Sequence, residues 1–144
     1  MQGVVYDVES VVMPYHFEFD VENKILLLVA EGHIQDQEVL AINDIIEPQV
    51  RRLQPSAGIT DLSVATSFDV SNQALRTAAL QPSPYPDNIP RFIIAPEDLV
   101  FGLARMYELV GHSTRTKLRV VRNREEVLKA LGVANPKFER IESD

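Results

Sequence analysis

Asp61-Leu62-Ser63-Val64-Ala65-Thr66-Ser67-Phe68-Asp69-Val70-Ser71-Asn72 reads as a strand running out over residues 61–63, a short loop, and a helix opening at Ser71. A helix N-terminus gathers unpaired backbone N–H groups and the positive end of the helix dipole. The acid-x-Ser-Asn cluster of Asp69, Ser71 and Asn72 therefore has two readings. It can hold a phosphate or another anion, or Ser71 can simply cap the helix. In either case the stretch lies where a parallel strand hands over to its crossover helix, a common place for binding.

Working outward, residues 15–21 alternate Tyr15, Phe17, Phe19 and Val21 with His16, Glu18 and Asp20, the pattern of a strand with one wet face. Glu22-Asn23 suits a tight turn, and the unbroken apolar run of residues 25–30 suits a partner strand covered on both faces. Asp36 is the expected N-cap of a helix to about Leu53, with Val39, Ile42, Ile46, Val50 and Leu53 as its stripe. Pro48 lies inside that helix and predicts a kink or break near Glu47. Residues 59–63 read as a strand, and the helix from Ser71 carries Ala74, Leu75, Ala78 and Ala79. Pro82, Pro84, Pro86 and Pro90 then make a stiff connector around Tyr85. A strand at residues 92–95 leads to a helix with stripe Leu99, Leu103, Met106 and Val110, ended by Gly111. Gly102, in the middle of that helix, predicts a close approach by a neighbouring helix or a ligand. A strand over 117–122 and a helix from Asn123, paired with Glu126 as a capping box and stopped by Gly132, complete the order.

The order strand, strand, helix, strand, helix, strand, helix, strand, helix predicts an α/β protein. It has a mixed, mostly parallel five-stranded sheet, about four helices and one antiparallel edge. Residues 1–144 form a single domain, with residues 1–13 an arm or edge strand and the charged tail 134–144 frayed. A net charge of −7 disfavours nucleic acid and anionic membrane surfaces as partners. The absence of cysteine excludes disulfides, thiolate metal sites and cysteine nucleophiles. Six consecutive apolar residues are too few to cross a bilayer, and Lys24 is the first basic residue, so no secretory signal and a cytoplasmic location are expected.

Order and motifs together resemble the STAS superfamily, the fold of bacterial anti-sigma factor antagonists, over roughly residues 15–132. The family has an Asp-Leu-Ser strand end, present as Asp61-Leu62-Ser63, and an Asp-Ser-Ser-Gly helix start whose second Ser is phosphorylated. Asp69 and Ser71 match that motif, with Val70 at the first Ser and Asn72 at the Gly. Gly32-His33-Ile34 fits the family's Gly-x-Leu-Asp, with Gln35 at the Asp position and Asp36 next. Gly102-Leu103-Ala104-Arg105-Met106 and Arg122-Asn123-Arg124-Glu125-Glu126 are similar to a divergent STAS/SEC14-like branch.

The resemblance implies a non-enzymatic regulatory domain. It would bind a protein partner, or an anion, through Asp69, Ser71, Asn72, His33 and Asp36, with Ser71 as phosphoacceptor. The first alternative is a small apolar or lipid-like ligand held under the Pro-rich connector near Tyr85, Phe92, Phe101 and Arg105. The second is an enzyme with a distributed site. Arg105 can also reach an acid on a neighbouring helix or subunit. His16, His33 and His112 are scattered and no pair has metal-ligand spacing, so neither a metal nor a cofactor is expected. The apolar residues 4–12 predict a homodimer in which the arm packs on a second subunit.

Overall fold

The computed structural model describes residues 15–112 and 117–142. The arm over residues 1–13, and with it the expected dimer contact, lies outside the described residues. The hairpin forms as its pattern dictates: β1 (Tyr15–Asp20) pairs antiparallel with β2 (Ile25–Ala30), Tyr15 opposite Ala30 and Asp20 opposite Ile25. All six residues of β2 are buried, because β2 is central and covered on both faces. The chain then runs through β3 (Gly32–Gln35), α1 (Asp36–Leu53), β4 (Ala57–Asp61), β5 (Ala65–Asp69), α2 (Asn72–Leu80) and β6 (Arg91–Ile94). It ends with α3 (Asp98–Val110), β7 (Leu118–Val121), α4 (Arg124–Leu131) and β8 (Glu139–Ile141).

The main sheet has the order β7-β6-β4-β2-β1-β8. Strands β2, β4, β6 and β7 run parallel, and the connections through α1, α2 and α3 step outward from the centre. One sheet face buries Phe17, Phe19, Leu26 and Leu28 against Ile45, Ile46 and Val50 of α1. On the other face Ile25, Leu27, Ile59, Phe92 and Ile94 pack with Val127 of α4. The sheet is therefore sandwiched between helices, with burial of these two clusters as the main stabilising term. Among the described residues, no helix is long and apolar enough to cross a membrane.

Five details depart from the sequence-based expectation. Among the described residues the main sheet has six strands rather than five. The sixth comes from the tail expected to fray, where β8 pairs antiparallel with β1, Phe17 opposite Ile141. Phe138 packs on the α4-side core, the Lys137 N–H donates to Asp20 Oδ2 (3.3 Å), and Gln49 Nε2 donates to the carbonyl of Glu142 (3.1 Å). These contacts hold a charged segment that has little hydrophobic pattern of its own. The second departure is that β3 and β5 pair parallel as a separate two-stranded ribbon, with Ile34 opposite Phe68 and Gln35 opposite Asp69.

Third, α1 continues through Pro48 without a break. Pro48 and Asp44, four residues earlier, are both exposed, so the carbonyl that loses its helical partner lies on the solvent side, where water can satisfy it. Fourth, the N-cap of α1 is Gln35, whose N–H donates to Glu38 Oε1 (2.7 Å), and Asp36 is the first helical residue. Fifth, a methyl group at Gly102 would meet nothing within 4 Å, so no helix among the described residues packs on that point. By contrast Ser71 caps α2, its Oγ accepting from the Ala74 N–H (3.1 Å). Gly132 ends α4 in the left-handed conformation (φ 70°).

Candidate functional site

The ribbon of β3 and β5 ends where α1 and α2 begin. Its inward residues Ile34 and Phe68 pack on the α1-side core, as does Val70 just beyond β5. Its outward residues His33, Ser67 and Asp69 are exposed, and so are Ser71 and Asn72 at the start of α2. The register brings His33 beside Ser67, and His33 Nδ1 is hydrogen-bonded to Ser67 Oγ. The five residues singled out for this surface thus gather at one end of the fold.

Asp36 holds that end together. Its Oδ1 accepts the backbone N–H of Ser71 (2.6 Å) and its Oδ2 accepts the Ser71 hydroxyl (2.8 Å). The same hydroxyl oxygen accepts the N–H of Ala74. One carboxylate therefore stands at the N-termini of two helices, where negative charge is favoured by both dipoles. It also takes up the backbone and hydroxyl donors of Ser71. The group that orients the hydroxyl is Asp36, whereas Asp69 is exposed beside it.

Asp61 of the Asp-Leu-Ser strand end has a different task. It is buried, its Oδ1 accepts the N–H of Ser63 (2.9 Å), and its Oδ2 accepts Nε of Arg124 (3.0 Å). This pair ties the start of α4 to the end of the central strand β4.

A pocket of about 130 Å³ lies on the α1 side of the sheet, beneath the connector of residues 82–90. Tyr85 and Phe92 line it, but Phe101 and Arg105 stand outside it. Phe101 lies under the Arg122 guanidinium (3.9 Å), which also pairs with Asp98 (2.7 Å). Among the described residues, the acid that Arg105 reaches is Glu108 on its own helix (2.8 Å). Tyr85 sits directly over Gly58, where an added methyl group would collide with the phenol ring. Tyr85 as a whole is half-buried, and its hydroxyl is inside. Burial raises its pKa well above the usual tyrosine value, and the opposing effect of the nearby Arg91 charge is smaller. Arg91 is buried and latches the connector through Ser83 Oγ (2.5 Å) and the carbonyl of Ile89 (3.1 Å).

Elsewhere, His16 Nε2 bonds Glu18 (2.6 Å), and His112 is exposed just past α3. Among the described residues, no cluster of three His, Cys, Asp or Glu side chains is placed to hold a metal. Sequence reasoning missed the β3–β5 pairing, although Val64, Thr66, Phe68 and Val70 alternate with smaller or polar residues as a strand would. It also missed Gly58 and Arg91, whose partners come from the connector and leave no local signal.

No family model matches the sequence, and no curated protein matches it either. The fold is similar to the crystal structure of an uncharacterized protein of the DUF3478 family, with a SpoIIAA-like fold, from Shewanella loihica PV-4. The TM-score is 0.51 at 12% identity, over 91% of this chain and 98% of that one. At that identity the likeness concerns architecture alone, and it agrees with the STAS-like order read from the sequence.

Proposed function

We propose that this chain is a non-enzymatic protein-interaction domain. It docks a protein partner through the exposed end formed by His33, Asp36, Asp69, Ser71 and Asn72, and Ser71 acts as the switch. The observation that supports this reading is the two-point contact between Asp36 and the backbone and hydroxyl of Ser71. An accessible hydroxyl whose proton points at a carboxylate is a reasonable phosphoacceptor. Phosphorylation would remove the donated proton and set about two negative charges against Asp36 and Asp69. Repulsion would open the junction of the two helix starts and alter the surface a partner reads.

The test is intact-mass analysis and peptide mapping of protein purified from its own host, followed by partner capture with wild type, Ser71→Ala and Ser71→Asp. The reading expects one phosphate mapped to Ser71 and a partner retained by wild type and Ser71→Ala but released by Ser71→Asp. Unmodified Ser71 together with identical capture by all three proteins would reject it.

A further inference from the structure

We infer that the pocket between β4, β6 and the connector is a binding site for a compact, uncharged apolar molecule about the size of one aromatic ring. This site is separate from the Ser71 surface. The two sheet faces differ in the size of the side chains that β4 supplies. On the α4 side β4 supplies Ala57 and Ile59 to a filled core, whereas on the α1 side it supplies Gly58 and Thr60. A central strand with one such short-sided face leaves room between sheet and helices. Tyr85 takes up the part over Gly58, and the remainder is the pocket.

The size and chemistry of the walls define the occupant. Ile34, Ile42, Ile46, Leu75 and Ile93 reach it from four elements, so the lining is dominated by aliphatic carbon. About 130 Å³ is close to the roughly 150 Å³ of an apolar cavity that stays dry and takes up benzene. It is well below the roughly 300 Å³ at which drug-sized ligand sites begin. The charged residues of the wall are engaged within the fold, Glu38 by the Gln35 N–H and Arg91 by Ser83 and Ile89. An uncharged ring leaves those bonds in place and matches a wall that is mostly carbon.

Toluene is titrated into the full chain carrying labelled Ile, Leu and Val methyl groups, read by NMR. The expected result is saturable shifts at Ile42, Ile46, Leu75 and Ile93, with Leu27 and Val127 on the opposite face unmoved. Ala104→Leu, which adds bulk to the pocket wall, is expected to weaken the midpoint by about tenfold or more. Leu75→Phe provides a second filling change, should the first disturb the fold. Shifts that rise without saturating, or that involve both faces equally, would overturn the inference, as would an unchanged midpoint in a folded filled variant. The wild-type titration decides even if neither variant folds.

Discussion

The carboxylate of Asp36 bridges the backbone nitrogen and the hydroxyl of Ser71, at 2.6 and 2.8 Å, across 35 residues of chain. It joins the first residue of α1 to the cap of α2, so the two helix starts are one mechanical unit. Ser71→Ala removes a cap and is expected to cost about 1 kcal/mol, and Asp36→Ala about 1–2 kcal/mol. The double variant should cost less than the sum, because each single change already breaks the shared contact. Urea unfolding of the four proteins measures the coupling, and strict additivity would mean the contact contributes nothing in solution.

Tyr85 predicts an alkaline limit to stability. Its folded pKa is raised, so its contribution is fully present below the unfolded value of about 10 and is lost as pH rises beyond that. Denaturation midpoints measured from pH 8 to 11 should fall above pH 10 in wild type. In Tyr85→Phe, which keeps the ring but cannot ionise, the fall should be shallower. Parallel curves would show that the hydroxyl reaches water.

Asp20 acts at the opposite end of the pH scale. Burial alone would raise its pKa. The side chain of Asn23 and the backbone groups of Asn23, Lys137 and Glu22 outweigh that by hydrogen bonding to the carboxylate, and the net pKa lies below the model-compound value of 3.8. A lowered folded pKa means stability present above the unfolded value and lost as pH falls through the folded one. Acid unfolding of Asp20→Asn should depend less on pH below about 4 than that of wild type.

Gly58→Ala tests the seat of Tyr85. The added methyl group collides with the ring, and the expected cost is about 1–3 kcal/mol, with faster proteolysis within residues 82–90. If the collision is the cause, the change should cost less when made in a Tyr85→Ala background. An equal cost in both backgrounds would point to backbone strain at residue 58.

Gly102→Ala should do the reverse. Residue 102 is exposed in the middle of α3 with open space around it, so alanine gains helix propensity without a clash. A stabilisation of about 0.5–1 kcal/mol is expected from the shift in denaturation midpoint. Destabilisation would mean that something outside the described residues packs on this point.

Where apolar spacing carried the information, the sequence was legible. The hairpin, the stripe of α1, the capping of α2 by Ser71 and the stop of α4 at Gly132 are all local consequences of pattern and cap chemistry. Less was legible where a segment is short or its partner distant. β8 has three residues, two of them charged, and it is a strand only because β1 offers an unpaired edge. The ribbon of β3 and β5 alternates correctly, but its length fitted a loop equally well. Within the candidate site, the residue types were visible near residues 33–36 and 69–72. Their connection through Asp36 was not, because no periodicity links residues so far apart. Gly102 misled because a mid-helix glycine usually signals a close neighbour, and here the space is empty.

The pairing of Phe17 with Ile141 closes one side of β1 with a strand from far along the chain. Among the described residues, β8 is what pairs with that side of β1. Whenever β8 is undocked, the exposed row of backbone donors and acceptors on β1 can recruit a strand from another molecule. Closure by β8 is therefore a long-range step on which the solubility of the sheet depends, and substitutions that loosen β8 should promote aggregation before they unfold the core.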